Sequence, residues 1–393
     1  MTDAPASLPW IARLVSFDTT SRDSNLPLIE TVAQELRSHG IEPQIFPNED
    51  GTKANLVATI PAADGTRTGG VVLSGHTDVV PVDGQEWDSD PFELTERDGR
   101  LYGRGTCDMK SYLAVAIAAL PQIVQARLRE PIHFALTYDE EVGCLGGAHI
   151  VKQIADLGLA PRACIVGEPT TMEVITGHKS MSTVAVTFTG VSAHSSLTPN
   201  GLNAIEYAGA FIRFYRGMVE SWRDEGPFDE AYPVPYTTGG VNVISGGIAV
   251  NTVPDHCRLE FDCRTIPSVS PDDVLAAVRD EAARLEDQMK RENGAGRVDV
   301  ELLASVPAFE SPENSSTVAL AVALGVTESP ERVTYGTEAG QFAGTGIDTI
   351  VCGPGDIAQA HRPNEFVEVS QIEECERFIA RLIEELSVRE VEA

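Results

Sequence analysis

Short apolar runs that end at turn residues alternate with helical patterns over the first 177 residues. The runs predict buried strands at 54–60, 71–75, 132–138 and 163–167, with another at 348–352. The helical patterns lie at 28–39, 110–120 and 145–157. Because strands that alternate with helices usually form a parallel sheet, the pattern predicts an α/β domain with a mixed, largely parallel sheet flanked by helices.

The pattern changes between residues 178 and 295. In this region the strand-like segments are 183–189, 241–247 and 256–264, and the helical ones are near 201–217 and 271–291. This arrangement predicts a smaller α+β domain, 178–295, inserted into a larger domain formed by 1–177 plus 296–393. A capping box at Ser370 and Glu373 is expected to open the last helix.

Composition narrows the class of protein. The chain has 393 residues, 42% of them hydrophobic and 22% charged, which is typical of a compact globular protein of two or three domains. A formal net charge of −30 argues against nucleic acid and anionic membranes as partners. The start of the chain lacks the apolar run of a signal peptide, and the longest apolar stretch, 112–120, is too short to span a membrane. Seven scattered cysteines without a CxxC pair predict reduced thiols and a cytoplasmic location.

Polar residues that can perform chemistry follow the predicted strands or precede a helix. They are His76, Asp108, Glu140, Glu141, Glu168 and His361. Ligands of open α/β sheets bind beyond the carboxyl ends of the strands, so these residues are expected to converge.

Two histidines and several carboxylates are the nitrogen and oxygen ligands that zinc, cobalt or manganese accepts, and their number fits two ions better than one. Two divalent ions lower the pKa of a shared water molecule and polarise a carbonyl, which predicts hydrolysis. Glu140 is suited to act as the general base, and Asp78 is expected to accept the second ring N–H of His76.

Other interpretations of single motifs have less support. Cys107 is a candidate nucleophile, but no base for it is identifiable. Gly103 and Gly105 do not complete a dinucleotide-binding motif, because position 108 is Asp. Four other histidines are expected to be ordinary polar groups: His39, His133, His149 and His256.

Five motifs together resemble one enzyme family. They are SGHTDVVP (74–81), YGRGTCDMK (102–110), YDEEVG (138–143), VGEPT (166–170) and GPGDIAQAHRPNEFV (353–367). In order and spacing they resemble the di-zinc amidohydrolases that include aminoacylase, acetylornithine deacetylase and succinyl-diaminopimelate desuccinylase. Ser111 is a departure, since many relatives have Gly at that position.

The resemblance implies a role for each matching residue. One ion would take His76, Asp108 and Glu168, and the other would take His361, Asp108 and Glu141, with Asp108 as the bridge. Glu140 would be the general base, and Asp78 would orient His76.

The inserted domain resembles the family's lid, which also forms the homodimer. The resemblance implies that His194 reaches the partner subunit's site and stabilises an oxyanion. It also implies that Asn251 and Arg264 bind the substrate, with Arg264 on an α-carboxylate.

The segment TYGTEAGQFA (334–343) is most similar to the acetylornithine deacetylases. This implies hydrolysis of N2-acetyl-L-ornithine to L-ornithine and acetate in arginine biosynthesis, with Glu338 available to pair with the substrate ammonium group. The alternatives are another N-acyl amino acid deacylase or a succinyl-diaminopimelate desuccinylase.

Overall fold

The computed structural model describes residues 4–388, which divide into two compact units. The first unit consists of the chain up to Gly177, the segment Phe309–Pro330 and the chain from Thr337 onward. The second unit consists of His178–Ala308 and Glu331–Gly336. Within residues 4–388, no helix combines the length and apolar character that crossing a membrane requires.

Helices and strands alternate along most of the chain. Up to the boundary at Gly177 they are α1 (Leu8–Val15), α2 (Leu26–Ser38), β1 (Gln44–Pro47), β2 (Ala54–Ile60), β3 (Val71–His76), β4 (Thr95–Arg97), β5 (Arg100–Tyr102), α3 (Lys110–Ala118), α4 (Leu120–Gln125), β6 (Ile132–Thr137), α5 (Leu145–Asp156), β7 (Ala163–Val166) and β8 (Gly177–His178). Next come β9 (Met181–Thr189), β10 (Ala193–His194), a 3₁₀ helix (Ser195–Asn200), α6 (Ala204–Glu225), β11 (Thr238–Gly246), β12 (Thr252–Val253), β13 (His256–Arg264), α7 (Pro271–Glu292) and β14 (Arg297–Val306). The last are β15 (Phe309–Glu310), α8 (Ser316–Ala323), α9 (Ala339–Gly344), β16 (Asp348–Val351), a 3₁₀ helix (Ile357–Gln359), β17 (Phe366–Glu368) and α10 (Val369–Leu386).

The first unit is built on a six-stranded mixed sheet in the order β1-β2-β6-β3-β7-β16. The strands β6, β3, β7 and β16 run parallel, whereas β2 and β1 are antiparallel to their neighbours. Every residue of β2, β3, β6 and β7 is buried, as expected for strands that are covered on both faces. The carboxyl ends of β3, β6 and β7 therefore lie side by side at one edge of the sheet.

Helix α3 is buried on all sides and lies in the core of the first unit. Its residues from Lys110 to Ile117 are all buried, and the helix packs against α1, α10 and β3. The helix therefore fixes the turn that precedes it, which carries Asp108. The peptide bond between Asp108 and Met109 is cis.

The second unit contains a four-stranded antiparallel sheet in the order β11-β13-β9-β14. Its core includes residues of the long helices α6 and α7, such as Phe211 and Leu285, together with Phe188, Leu259 and Phe261 of the sheet. The unit is therefore of the α+β class.

Two details differ from the sequence expectations. The expected return to the first domain at residue 296 is too early, because β14 pairs with β9 from Arg297 to Val306 and belongs to the second unit. The expected capping box at Ser370 is wrong: α10 begins at Val369, and no side chain of the described residues caps it. Strand β17 runs directly into this helix, and the Glu368 side chain at the N-cap instead accepts a 2.8 Å hydrogen bond from Arg100.

Candidate metal centre

The predicted ligands meet at one edge of the sheet in the first unit. His76 is the last residue of β3, Glu141 lies in the turn after β6, and Glu168 follows β7. Asp108 lies in the turn before α3, and His361 lies in the loop after β16. The parallel order of the strands brings these distant sequence positions together.

Each carboxylate oxygen of Asp108 faces a different histidine. His76 Nε2 lies 2.9 Å from Oδ1 of Asp108 and 3.7 Å from Oε1 of Glu168. His361 Nε2 lies 3.2 Å from Oδ2 of Asp108 and 3.0 Å from Oε2 of Glu141. Two groups of three potential ligands therefore share one carboxylate, and the ligand atoms within each group lie within 4.8 Å of one another.

These residues fit two divalent cations. Oε1 of Glu168 is buried, and no donor within residues 4–388 forms a hydrogen bond with it. Burial raises the pKa of Glu168 well above its usual value, and the negative charge of Asp108 adds to the effect. Burial and the same neighbour raise the pKa of Glu141 to about 7. Three clustered carboxylates against two histidines leave excess negative charge, which is costly to bury, so the ligand set is suited to cations. Its nitrogen and oxygen donors match zinc, cobalt or manganese.

Glu140 lies beside this ligand set. Burial raises the pKa of Glu140 well above its usual value, while the charge of His76 opposes the shift. The Cys144 thiol donates a 3.2 Å hydrogen bond to Oε1 of Glu140. A carboxyl group with a raised pKa is suited to taking up and releasing a proton near neutral pH.

Asp78 contacts the His76 ring through its main chain and the turn after β6 through its side chain. His76 Nδ1 lies 2.9 Å from the main-chain oxygen of Asp78 and 3.6 Å from its carboxylate, so the main-chain oxygen is the closer partner. The carboxylate accepts the main-chain N–H groups of Glu140 at 3.1 Å and Glu141 at 3.3 Å, and it accepts the Ser21 hydroxyl at 2.7 Å. Asp78 therefore fixes the turn that carries Glu140 and Glu141, and its main chain orients the His76 ring.

Glu338 is buried within the first unit. It is 1% exposed, and its Oε2 accepts a 2.9 Å hydrogen bond from the Thr137 hydroxyl. Burial raises its pKa to about 7. Pairing of Glu338 with a substrate ammonium group stays a prediction.

The other three predicted residues belong to the second unit. His194 is exposed on β10, and its Nδ1 lies 2.8 Å from the Ser196 hydroxyl. Asn251 is also exposed, and its main-chain oxygen accepts the N–H of Ser195 at 3.0 Å. Arg264 ends β13, and its Nε lies 3.4 Å from a carboxylate oxygen of Asp262. His194 and Asn251 are accessible for contacts outside the unit, and Arg264 is partly exposed.

Two charged residues that support the ligands were not expected from the sequence. Glu365 is buried, and its Oε1 accepts the main-chain N–H groups of Cys107 at 2.8 Å and Asp108 at 3.1 Å. Arg104 is its buried ion-pair partner. Both residues lie within the five sequence motifs. The signal that could have identified them is that each is a charged motif residue to which no ligand role was assigned.

Comparisons with known proteins agree with one another. The family model described as Peptidase family M20/M25/M40 matches residues 72–385. The chain is 34% identical over 391 residues to a protein of Pasteurella multocida named acetylornithine deacetylase, covering 98% of each chain. It is 37% identical over 372 residues to a protein of Photorhabdus laumondii with the same name, covering 93% of this chain and 92% of the other.

The fold is also found among solved structures. A dinuclear metal binding peptidase of Bacillus subtilis matches with a TM-score of 0.66 at 14% identity, and the match covers 97% of each chain. At this identity the likeness concerns the fold.

Proposed function

The chain belongs to peptidase family M20/M25/M40, and from this membership we propose that it hydrolyses N2-acetyl-L-ornithine to L-ornithine and acetate, a step of arginine biosynthesis. The observation that carries the substrate proposal is the 34% and 37% identity, over at least 92% of each chain, to proteins named acetylornithine deacetylase. The hydrolytic chemistry is supported by the two ligand groups that share Asp108, with Glu140 beside them.

We propose zinc as the metal, with cobalt or manganese as substitutes. His76, Asp108 and Glu168 would hold one ion, and Asp108, Glu141 and His361 would hold the other. When bound, such ions polarise the amide carbonyl of the substrate and lower the pKa of water at the site.

Glu140 performs the proton transfers in this proposal. It takes a proton from the attacking water and delivers one to the nitrogen of the departing amine. Asp78 holds the main chain of Glu140 in place through the 3.1 Å hydrogen bond. The buried surroundings of Glu140 suit both transfers, because they raise its pKa above the usual value.

The second unit supplies the substrate-binding groups in this proposal. His194 donates a hydrogen bond to the oxyanion in the site of the partner subunit. Arg264 binds the α-carboxylate of the substrate, and Asn251 also helps to hold the substrate.

We also propose a homodimer that forms through the second unit. Strand β11 is an edge strand of its sheet, and it carries exposed apolar side chains at Val243 and Ile244. Ile248 and Val250 in the following loop are also exposed. An exposed edge with an apolar surface favours association with a second copy of the chain.

A substrate panel tests the proposed function. Initial rates would be measured for N2-acetyl-L-ornithine, N-acetyl-L-methionine and N-succinyl-diaminopimelate on the zinc- or cobalt-loaded protein. The highest kcat/KM is expected for N2-acetyl-L-ornithine. Activity confined to the succinyl substrate would identify a desuccinylase instead, and a preference for N-acetyl-L-methionine would identify a more general deacylase. Glu140→Gln, assayed in parallel, measures any contaminating hydrolase.

A further inference from the structure

A buried ion pair lies next to the candidate metal centre and has no part in the proposed chemistry. Arg104 and Glu365 are each 1% exposed, and Arg104 Nη1 lies 2.6 Å from Oε2 of Glu365. Removing two charges from water is costly, and buried pairs often contribute little net stability. The other hydrogen bonds of the pair indicate a different role.

Glu365 fixes the main chain at the shared ligand. Its second oxygen, Oε1, accepts the N–H groups of Cys107 and Asp108, which begin the turn before α3. Two N–H groups on one carboxylate oxygen restrict the rotation of that turn. The direction of the Asp108 side chain therefore depends on Glu365.

Arg104 links the same carboxylate to the loop that carries His361. Its Nη1 donates to the main-chain oxygen of Arg362 at 3.3 Å, and its Nη2 donates to Oε1 of Gln85 at 2.7 Å. Gln85 in turn donates from Nε2 to the main-chain oxygen of His361 at 3.0 Å. Three side chains thus connect the two loops, and we name Gln85, Arg104 and Glu365 the Arg104 cluster.

The orientation of the Gln85 amide is determined by its neighbours. Oε1 accepts from Arg104 and also from the Trp87 indole N–H at 3.1 Å. If the amide were reversed, its NH₂ group would face two donors, and its oxygen would face the carbonyl of His361. The donor is therefore directed at His361.

His361 needs this external support more than His76 does. Its φ is 65°, in the left-handed region that is unfavourable for a residue with a side chain, and its side chain is 54% exposed. It lies in a loop, whereas His76 is buried at the end of a central strand. The hydrogen bond from Gln85 therefore restrains the main chain of His361, which is not part of a strand.

We propose that the Arg104 cluster consists of positioning residues that set the metal affinity of the two ligand groups unequally. Glu365 acts on both groups, because it holds Asp108, which they share. Gln85 acts only on the group formed by Asp108, Glu141 and His361. The inference rests on the metal-dependent chemistry of the proposed function and is independent of the substrate.

Calorimetric titration of the metal-free, full-length protein with Co²⁺ tests the inference. Gln85→Glu keeps an acceptor for Arg104 and Trp87 but removes the donor to His361. We expect it to bind one Co²⁺ with wild-type affinity and the second about 10-fold or more weakly, the usual scale for removing a partner that orients a ligand. Glu365→Gln is expected to weaken both ions.

A matched control is the surface pair Arg100–Glu368, which joins nearby segments of the chain at 2.8 Å. Arg100→Ala is expected to leave both affinities unchanged. The inference is overturned if Gln85→Glu leaves both affinities unchanged or weakens both equally, or if Arg100→Ala has the same effect. A purely structural role would lower the melting temperature of the metal-free protein without the selective loss of one ion. Wild-type protein that binds no Co²⁺ would overturn the proposed function and this inference with it.

Discussion

The thiol of Cys144 donates a 3.2 Å hydrogen bond to Oε1 of Glu140. Cys144 is 1% exposed, and burial raises the pKa of its thiol well above the usual value, with the charge of Glu140 adding to the shift. The thiol is thus a neutral donor to the proposed base, and it is not a nucleophile.

Replacing Glu140 with Gln is expected to abolish most of the turnover and to leave the metal content intact. The variant preserves the shape of the side chain but cannot carry protons, and general acid–base catalysis contributes roughly 10²- to 10⁴-fold for each role. Measured kcat and metal analysis of the same preparation check this. A variant that keeps more than a tenth of the wild-type kcat would contradict the role assigned to Glu140.

Chelation and thiol alkylation are expected to have opposite effects on activity. Prolonged dialysis against a chelator should abolish hydrolysis, and added Zn²⁺ or Co²⁺ should restore it. Iodoacetamide should leave activity unchanged, because all seven cysteines are buried. Residual activity would be measured after each treatment, and the reverse outcome would favour a cysteine hydrolase with Cys107 as its nucleophile.

Substitutions of Asp108 and His361 are expected to change metal content to different extents. Asp108→Ala removes a ligand from both groups, so it should lose both ions, whereas His361→Ala should retain one. The molar ratio of metal to polypeptide, measured after gel filtration, distinguishes the two variants. Equal stoichiometry in the two variants would show that Asp108 is not shared.

Asp348 is expected to stabilise the first unit only above acidic pH. Its carboxylate accepts the Ser315 hydroxyl at 2.6 Å, the Ser316 hydroxyl at 2.9 Å and the main-chain N–H of Thr317 at 3.0 Å, at the start of α8. Burial acts to raise the pKa of Asp348, but these hydrogen bonds hold it below the usual value. The folded state therefore favours the charged form, and this stability is present above about pH 4 and is lost as the pH falls through the folded-state pKa.

The variant Asp348→Asn should accordingly lower the free energy of unfolding by about 1 kcal/mol at pH 7. The difference from the wild type should shrink below about pH 4. Urea unfolding at several pH values measures this difference in the free energy of unfolding. A difference that grows as the pH falls would contradict the role assigned to the Asp348 carboxylate.

A charge on the edge of β11 is expected to separate the proposed dimer. Ile244 is 55% exposed in the single chain, and burying an aspartate at its position against a second copy would be costly. Ile244→Asp should therefore elute as a monomer with an unchanged circular dichroism spectrum. Val322→Asp in α8 is a matched control, because Val322 is 47% exposed and belongs to the first unit. A wild-type protein that is monomeric at micromolar concentration would contradict the proposed dimer.

The strands of the first unit were predictable because they are continuous apolar runs. The run 54–60 coincides with β2, and 132–138 extends one residue beyond β6. The placing of His76 and Glu168 at strand ends followed directly from these runs. Residues whose roles depend on bonds across the fold were not predictable in this way.

Glu338 and Asp78 illustrate this limit. The sequence shows that Glu338 is acidic, but its burial beside Thr137 depends on how α9 packs in the first unit. Asp78 was expected to accept the second ring N–H of His76. Its carboxylate also accepts two main-chain N–H groups of the turn after β6, and periodicity carries no information about such a turn.

The parallel neighbours β7 and β16 are separated in sequence by the whole of the second unit, which has a consequence for synthesis on the ribosome. Strand β7 ends at Val166, and its partner does not emerge until Asp348. During that interval one edge of the nascent sheet stays open, and such edges are prone to misassembly. His361 emerges later still, so a nascent chain can complete only the ligand group of His76, Asp108 and Glu168 before His361 is made.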